Sequence, residues 1–371
     1  MVLNIMSRII SIGTSVPAYG TRQTLILDFM RKAYNDEMVS RKLNVLFHHS
    51  GISTRYSVIS DFNLALKKHT LFNGSDILPK VEERLNVFKE YAMPLSIKAI
   101  QNAIEKIDTT VTNIGFTHII TVTCTGLYAP GLDAELIEYL KLPNDIFHTS
   151  INFMGCNAAF HALKMADMIA RTEDDARILI VCVELCTLHF QPKNNSDNLL
   201  SNTLFGDGAA AVIVTSDSYA ARHQYSGLTM NGFYSLLLNK GENLMGWNIT
   251  PVNFEMILDA KVPDFIGDEI NNILVKAEKK FDIQPDDIDH WAIHPGGKKI
   301  LDVIQKQLKL TDADMYNSYK VLDEYGNMSS PTILFVLNEI GKSQLNSNDN
   351  IFSVGFGPGL SIETSLFTYV E

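Results

Sequence analysis

Cys156 stands in Ile151-Asn152-Phe153-Met154-Gly155-Cys156-Asn157-Ala158-Ala159, with a glycine before it and small residues after it. The glycine permits a tight strand-to-helix turn, and the small side chains let the following helix pack closely. A thiol at a helix start feels the positive end of the helix dipole, which favours the thiolate. Such a thiolate attacks thioesters and also leaves readily, the two properties that acyl transfer needs. The same segment read alone fits a buried structural cysteine equally well. His294 follows the apolar run Trp291-Ala292-Ile293 and precedes Pro295-Gly296-Gly297. Strand C-termini are where α/β sheets present groups to ligands. A lone histidine at a strand end is more often structural, but the glycines leave room beside this ring for a substrate. Asn327, in Tyr325-Gly326-Asn327-Met328-Ser329-Ser330, reads alone as a helix N-cap. Brought together, these groups would serve as nucleophile, proton partner and oxyanion donor.

Convergence of three distant segments needs a scaffold, and the chain alternates strands with helices in the manner of an α/β protein. The pattern predicts strands at Arg8–Gly13, Thr117–Thr123, Ala176–Glu184 and Ala209–Val214, and helices over Tyr91–Ile107 and Cys156–Ala170. The second half echoes the first. Ile288–Ile293 is a strand running into a loop, Asn327–Leu337 opens a helix of small and apolar residues, and Asn350–Gly355 is again a strand. This echo predicts an internal duplication, with 1–219 carrying the cysteine, 220–371 carrying the histidine and asparagine, and a polar seam over 220–250. Asn327 would then hold in half two the place of Cys156 in half one.

At 371 residues the chain has room for two packed halves. Its 31 basic and 42 acidic residues give a net charge of −11, which argues against nucleic-acid or anionic-membrane binding. Cys124, Cys156, Cys182 and Cys186 are too few and too irregular for a disulfide scaffold. Cys182, Cys186 and His189 lack the second pair that a zinc site requires. No apolar run nears the roughly 20 residues of a membrane span, and residues 1–8 do not read as a signal peptide. A reducing cytoplasm, where thiols stay free for chemistry, fits these features.

Several blocks together resemble the type III polyketide synthases (the chalcone and stilbene synthase family), especially bacterial members. They are Phe153-Met154-Gly155-Cys156, Leu204-Phe205-Gly206-Asp207-Gly208-Ala209-Ala210-Ala211, Ile293-His294-Pro295-Gly296-Gly297, Tyr325 to Ser330, and Gly355-Phe356-Gly357-Pro358-Gly359-Leu360. They occur in order over nearly the whole chain. The resemblance implies a thiolase fold, a duplicated five-layered αβαβα architecture, with Cys156, His294 and Asn327 as the catalytic set. It implies an acyltransferase that loads an acyl starter on Cys156, decarboxylates malonyl-coenzyme A and condenses the two repeatedly to a pyrone, resorcinol or phloroglucinol. A single-condensation ketoacyl synthase and an inert thiolase-fold partner subunit are the alternatives.

By position, Phe205 and Phe254 fall on the gatekeeper phenylalanines between coenzyme A tunnel and cavity, though either fits an aromatic core. The Gly355–Gly359 loop, with Gly357 and Pro358, matches the loop that shapes the cavity, and Ser329, Cys124 and His189 fall among its substrate contacts. Cys124 fits a structural thiol equally. Lys42 and Arg55 match coenzyme A contacts, while Val45 and His49 stand where plant members carry basic residues. A carrier-protein thioester is therefore an alternative starter donor. The family also implies a homodimer, coenzyme A thioesters as substrates, and no metal or other cofactor.

Overall fold

The computed structural model describes residues 6–63, 71–72, 78–238, 241 and 243–371. Residues 1–5 of the leader reading, and 239, 240 and 242 of the seam, lie outside them. The first half runs β1 (Ser7–Ser15), β2 (Tyr19–Arg22), α1 (Gln23–Tyr34), α2 (Glu37–His48), β3 (Thr54–Ser57), α3 (Val81–Glu105) and α4 (Val111–Ile114). It continues through β4 (His118–Thr123), α5 (Leu132–Leu140), β5 (Phe147–Asn152), α6 (Ala158–Thr172), β6 (Arg177–Leu185), α7 (Ser196–Leu204), β7 (Asp207–Ser216) and α8 (Asp217–Arg222). The second half begins with β8 (Gly227–Leu237), β9 (Met245–Ile249), β10 (Phe254–Leu258) and α9 (Val262–Phe281). After these come β11 (His290–Ile293), α10 (Lys298–Leu308), α11 (Asp312–Tyr325), α12 (Thr332–Ile340), β12 (Asn350–Gly357) and β13 (Ser361–Val370).

Nine strands form one mixed sheet in the order β11-β12-β13-β8-β1-β7-β6-β4-β5. Its two halves repeat. The order β4-β6-β7-β1 recurs as β11-β12-β13-β8, with the first pair parallel and the next two antiparallel in each. β5 has no counterpart, and the halves join where Arg8 and Ile9 pair with Thr229 and Leu228.

Period-two alternation explains the layers. Along β6, Leu179, Val181 and Val183 face a core shared with α1, α2 and α3, while Ile178, Ile180 and Cys182 face a second core. That second core holds α6 and α12 between the half-sheets. A third lies beyond the second half-sheet, against α9 and α10. Helix, sheet, helices, sheet, helices is the five-layered thiolase arrangement. Both central helices suit this place. α6 presents Ala158, Ala159, Ala162, Ala166 and Ala170, so the sheets approach closely, and every residue of α12 is buried. Each large apolar side chain so buried contributes about 1.5–3 kcal/mol.

The predicted strands are present with ends shifted by a few residues. One boundary differs for a physical reason. The second central helix begins at Thr332, capped by Pro331, five residues after Asn327. Ser329 adopts φ 60 and Pro331 fixes the helix start, so Asn327 sits in the preceding turn and is not an N-cap. Among the described residues no helix is long and apolar enough to cross a membrane.

Candidate active site

The nucleophile turn is built by close packing. Gly155 has φ 78, and a Cβ there would stand 2.2 Å from the Pro358 ring, so glycine is required twice over. Cys156 follows in a short 3-10 turn that leads into α6, placing its thiol at a helix start. Phe153, just before, is held at φ 59, a backbone strain of the kind stored at functional sites. Beneath the turn, the Cys124 Sγ accepts the Gly155 N–H at 3.1 Å. Cys124 is thus a structural support rather than the expected substrate contact.

Asn327 is oriented by its neighbours. Its Oδ1 accepts the Ser329 N–H at 2.8 Å and lies 3.4 Å from the Thr332 hydroxyl. The carboxamide nitrogen therefore points the other way, 3.3 Å from the Gly296 carbonyl and 3.9 Å from Cys156 Sγ. Its backbone is clamped to the Phe205 segment, through Asn327 N to Leu204 O and Gly206 N to Asn327 O, both 2.9 Å. His294 caps β11, and neither ring nitrogen has a protein partner among the described residues. Its imidazole stays free for a substrate. Gly296 leaves the space beside it, since a Cβ there would lie 4.0 Å from Nε2 and 2.9 Å from Ile300.

The three groups line one narrow cavity of about 20 Å³, with Phe205, Met245, Met256, Leu258 and Phe356 as apolar walls. Exposure is 5% at Cys156, 1% at His294 and 2% at Asn327. Burial disfavours charge on each. It pushes the thiol up to about 11, against the opposing pull of the Ser329 hydroxyl and the Asn327 amide, and Glu184 raises it further. It pulls His294 down to about 3. Burial thus favours a neutral thiol and a neutral imidazole, opposing the helix start, which favours the thiolate. As pH rises towards about 11 the thiolate fraction should grow, so alkylation of Cys156 by iodoacetamide should speed about tenfold per pH unit between about pH 7 and 9. Peptide mapping reads this directly; a plateau from about pH 6 would instead mean a resting ion pair.

Of two adjoining grooves, one shares walls with this cavity. An outer groove lined by Lys42, Val45 and Leu200 continues into one lined by His49, Gly296, Gly297, Lys298 and Lys299. The latter shares Leu258, Gly296 and Ile300 with the catalytic cavity. Lys42, Val45 and His49 lie three and four residues apart along α2 and its cap, so they share a face. Beyond the cavity is an inner chamber of about 50 Å³, lined by Cys186, His189, Trp247 and Phe254. Phe205 and Met256 line both spaces and stand between them. Phe254 borders only the inner chamber.

Other expected contacts are placed elsewhere. Arg55 is 4% exposed, with Nε bonded to Gln23 Oε1 at 2.9 Å and Nη1 to the Phe205 carbonyl at 2.6 Å. It lines the inner chamber and braces Phe205, so it cannot hold coenzyme A at the mouth, and burial lowers its pKa to about 9. Gly357 and Pro358 buttress the nucleophile turn, Gly357 against Asn157 and Pro358 against Gly155; Phe356 lines the cavity in their stead. Ser329 meets the site at two points, its N–H on Asn327 and its hydroxyl towards the Cys156 thiol. The sequence reading missed Glu184. This fully buried carboxylate accepts from Cys124 N (2.9 Å), Thr125 Oγ1 (2.8 Å) and Ser330 Oγ (2.7 Å), tying the loop after β4 that supports the nucleophile turn to the Asn327 loop. A lone charge near the end of the apolar β6 was its available signal. Among the described residues no three His, Cys, Asp or Glu side chains gather as a metal site.

Comparison with known proteins adds an independent finding. The family models for the N-terminal and C-terminal domains of chalcone and stilbene synthases match residues 4–218 and 233–371. "Probable polyketide synthase 1" of Dictyostelium discoideum is 30% identical over 96% of this chain, which spans only 11% of that protein. "Alpha-pyrone synthesis polyketide synthase-like Pks18" of Mycobacterium tuberculosis is 27% identical, covering 97% of this chain and 90% of the relative. The crystal structure of PKS-I from the brown alga Ectocarpus siliculosus superposes with a TM-score of 0.89 at 29% identity, over 99% of both chains.

Proposed function

The chain belongs to the chalcone and stilbene synthase family, the type III polyketide synthases, and from that premise we propose that it condenses acyl thioesters iteratively through Cys156, His294 and Asn327. The N-terminal half, 1–219, supplies the nucleophile, and 220–371 supplies the histidine and asparagine. The observation that carries the reading is the oriented Asn327 amide, 3.9 Å from the thiol in a cavity that also holds an unpartnered imidazole.

A starter thioester enters through the groove past Lys42. His294 takes the Sγ proton as sulfur attacks the carbonyl, and the coenzyme A thiolate leaves with that proton, giving acyl-Cys156 and neutral His294. Malonyl-coenzyme A follows and loses CO2. The resulting enolate oxygen is stabilised by hydrogen bonds from Asn327 Nδ2 and the N–H of the neutral His294 imidazole. The enolate carbon attacks the acyl-Cys156 carbonyl, a C–C bond forms, and the cysteine sulfur leaves for the next round. The apolar walls, Met245, Met256, Leu258 and Phe356, keep water from the enolate and the acyl-enzyme. This scheme calls on no metal or prosthetic group, because the thioester and the loss of CO2 supply the driving force.

The name of the mycobacterial relative supports a pyrone among the candidate products. The test is incubation with acyl-coenzyme A starters of graded length and malonyl-coenzyme A, read by mass spectrometry, with carrier-protein starters as a second arm. Cyclised products carrying two or more extensions are expected. One malonyl unit added and no ring would favour the single-condensation alternative.

The reading sets the enzyme in the cytoplasm as a homodimer. What supports dimerisation is β5, whose only sheet partner among the described residues is β4, and whose Phe147 is 52% exposed. An unpaired strand edge is normally covered. Light scattering should give twice the chain mass; a monomer at micromolar concentration would count against this.

A further inference from the structure

His189 takes no part in the reaction scheme, yet both of its ring nitrogens are bonded in the wall of the inner chamber. Its Nδ1 accepts the Phe254 N–H at 3.0 Å, and its Nε2 meets the Thr125 carbonyl at 2.8 Å. A main-chain N–H needs an unprotonated nitrogen and a carbonyl needs a donor, so these partners assign the neutral Nε2–H tautomer. Burial holds it neutral, pulling its pKa down to about 3. The ring stacks on Phe254 with centroids 4.6 Å apart and 11° between planes. The segment itself is locked. The His189 carbonyl accepts from Asn253 Nδ2 at 3.1 Å, and the buried Arg84 guanidinium donates to the carbonyls of Leu188 and Phe190 on either side.

One imidazole therefore joins the loop after β4 to the first residue of β10. Neither nitrogen is left to bind substrate, so the ring lines the chamber without a free polar atom. What the ring does is hold the wall formed by Phe254, whose other side lies 5.3 Å from Phe153 next to the nucleophile turn. We propose that His189 is a positioning residue that fixes Phe254 and so limits the size of acyl group the inner chamber accepts. This rests on the reading of that chamber as the acyl site.

Two near-isosteres separate its bonds. His189→Asn keeps an acceptor near the place of Nδ1 and loses the Thr125 bond. His189→Gln keeps a donor near Nε2 and loses the Phe254 bond. Kinetics with short and long acyl-coenzyme A starters, for these variants and His189→Ala, provide the readout. The Gln and Ala variants should raise the long-to-short ratio of kcat/KM about fivefold or more through KM, the effect of one lost hydrogen bond, with kcat on the short starter within about twofold. The Asn variant should keep the wild-type ratio. Should Ala fail to fold, the Asn–Gln contrast still decides. A purely structural histidine would lower kcat on every starter alike; that pattern, or wild-type ratios in all three, would overturn the proposal. Peptide mapping separates the two readings. Wild type that acylates Cys156 while Gln keeps its selectivity refutes only the role of His189; wild type that never acylates Cys156 removes the acyl site and this inference with it.

Discussion

Cys156→Ala is expected to abolish acyl-enzyme formation and lower polyketide output by roughly 10⁴–10⁶, the scale seen when a covalent nucleophile is deleted. Decarboxylation of malonyl-coenzyme A should survive, because the enolate is held by His294 and Asn327 and not by sulfur. This split distinguishes a lost nucleophile from a lost fold. The substitution removes one sulfur from a site that is 5% exposed, and the turn is held by Gly155, Cys124 and Pro358, all untouched. The check is paired: product by mass spectrometry and released CO2 from the same reaction. Condensed product at wild-type rate would reject covalent loading through this residue.

Asn327→Ala should give the complementary pattern. The Asn327 amide is aimed into the cavity because Ser329 N–H occupies its oxygen at 2.8 Å, so its nitrogen is a preorganised donor. Removing one such donor costs on the order of 10²–10³ in rate. Decarboxylation should fall by that factor while Cys156 still accepts the starter. The variant also frees the Ser329 N–H, so a thermal melt belongs beside the kinetics. A stable variant that decarboxylates normally would mean that the enolate is stabilised by other groups.

What the sequence displayed clearly was periodicity and type. The apolar runs of β4, β6 and β7 are buried on both faces, so a continuous hydrophobic stretch was the right signal for them. The echo between halves was legible because each half repeats strand, loop, helix, strand, and that repeat is why Cys156 and the Asn327 turn approach the same space. Phe205 could be placed only through the resemblance, by its position in the Leu204 to Ala211 block. Less was visible where one residue type serves two environments. A basic residue on a sequence reads as exposed, and nothing local told that the Arg55 guanidinium turns inward to the Phe205 carbonyl. Met245, Met256, Leu258 and Phe356 look like any core residues; only the tertiary fold makes them cavity walls. β5 was missed because half its residues face outward, leaving no apolar run to find. The charge of the thiol was hard to read for a related reason. A helix start lowers a thiol pKa, but complete burial raises it by more, and burial is not written in a short motif.

The most direct measurement is peptide mapping of the wild-type protein after brief exposure to an acyl-coenzyme A with no malonyl donor present. An acyl mass increment on the Cys156 peptide, and none on those of Cys124, Cys182 or Cys186, is the outcome the geometry demands. An unmodified Cys156, or an increment carried by another cysteine, would contradict it.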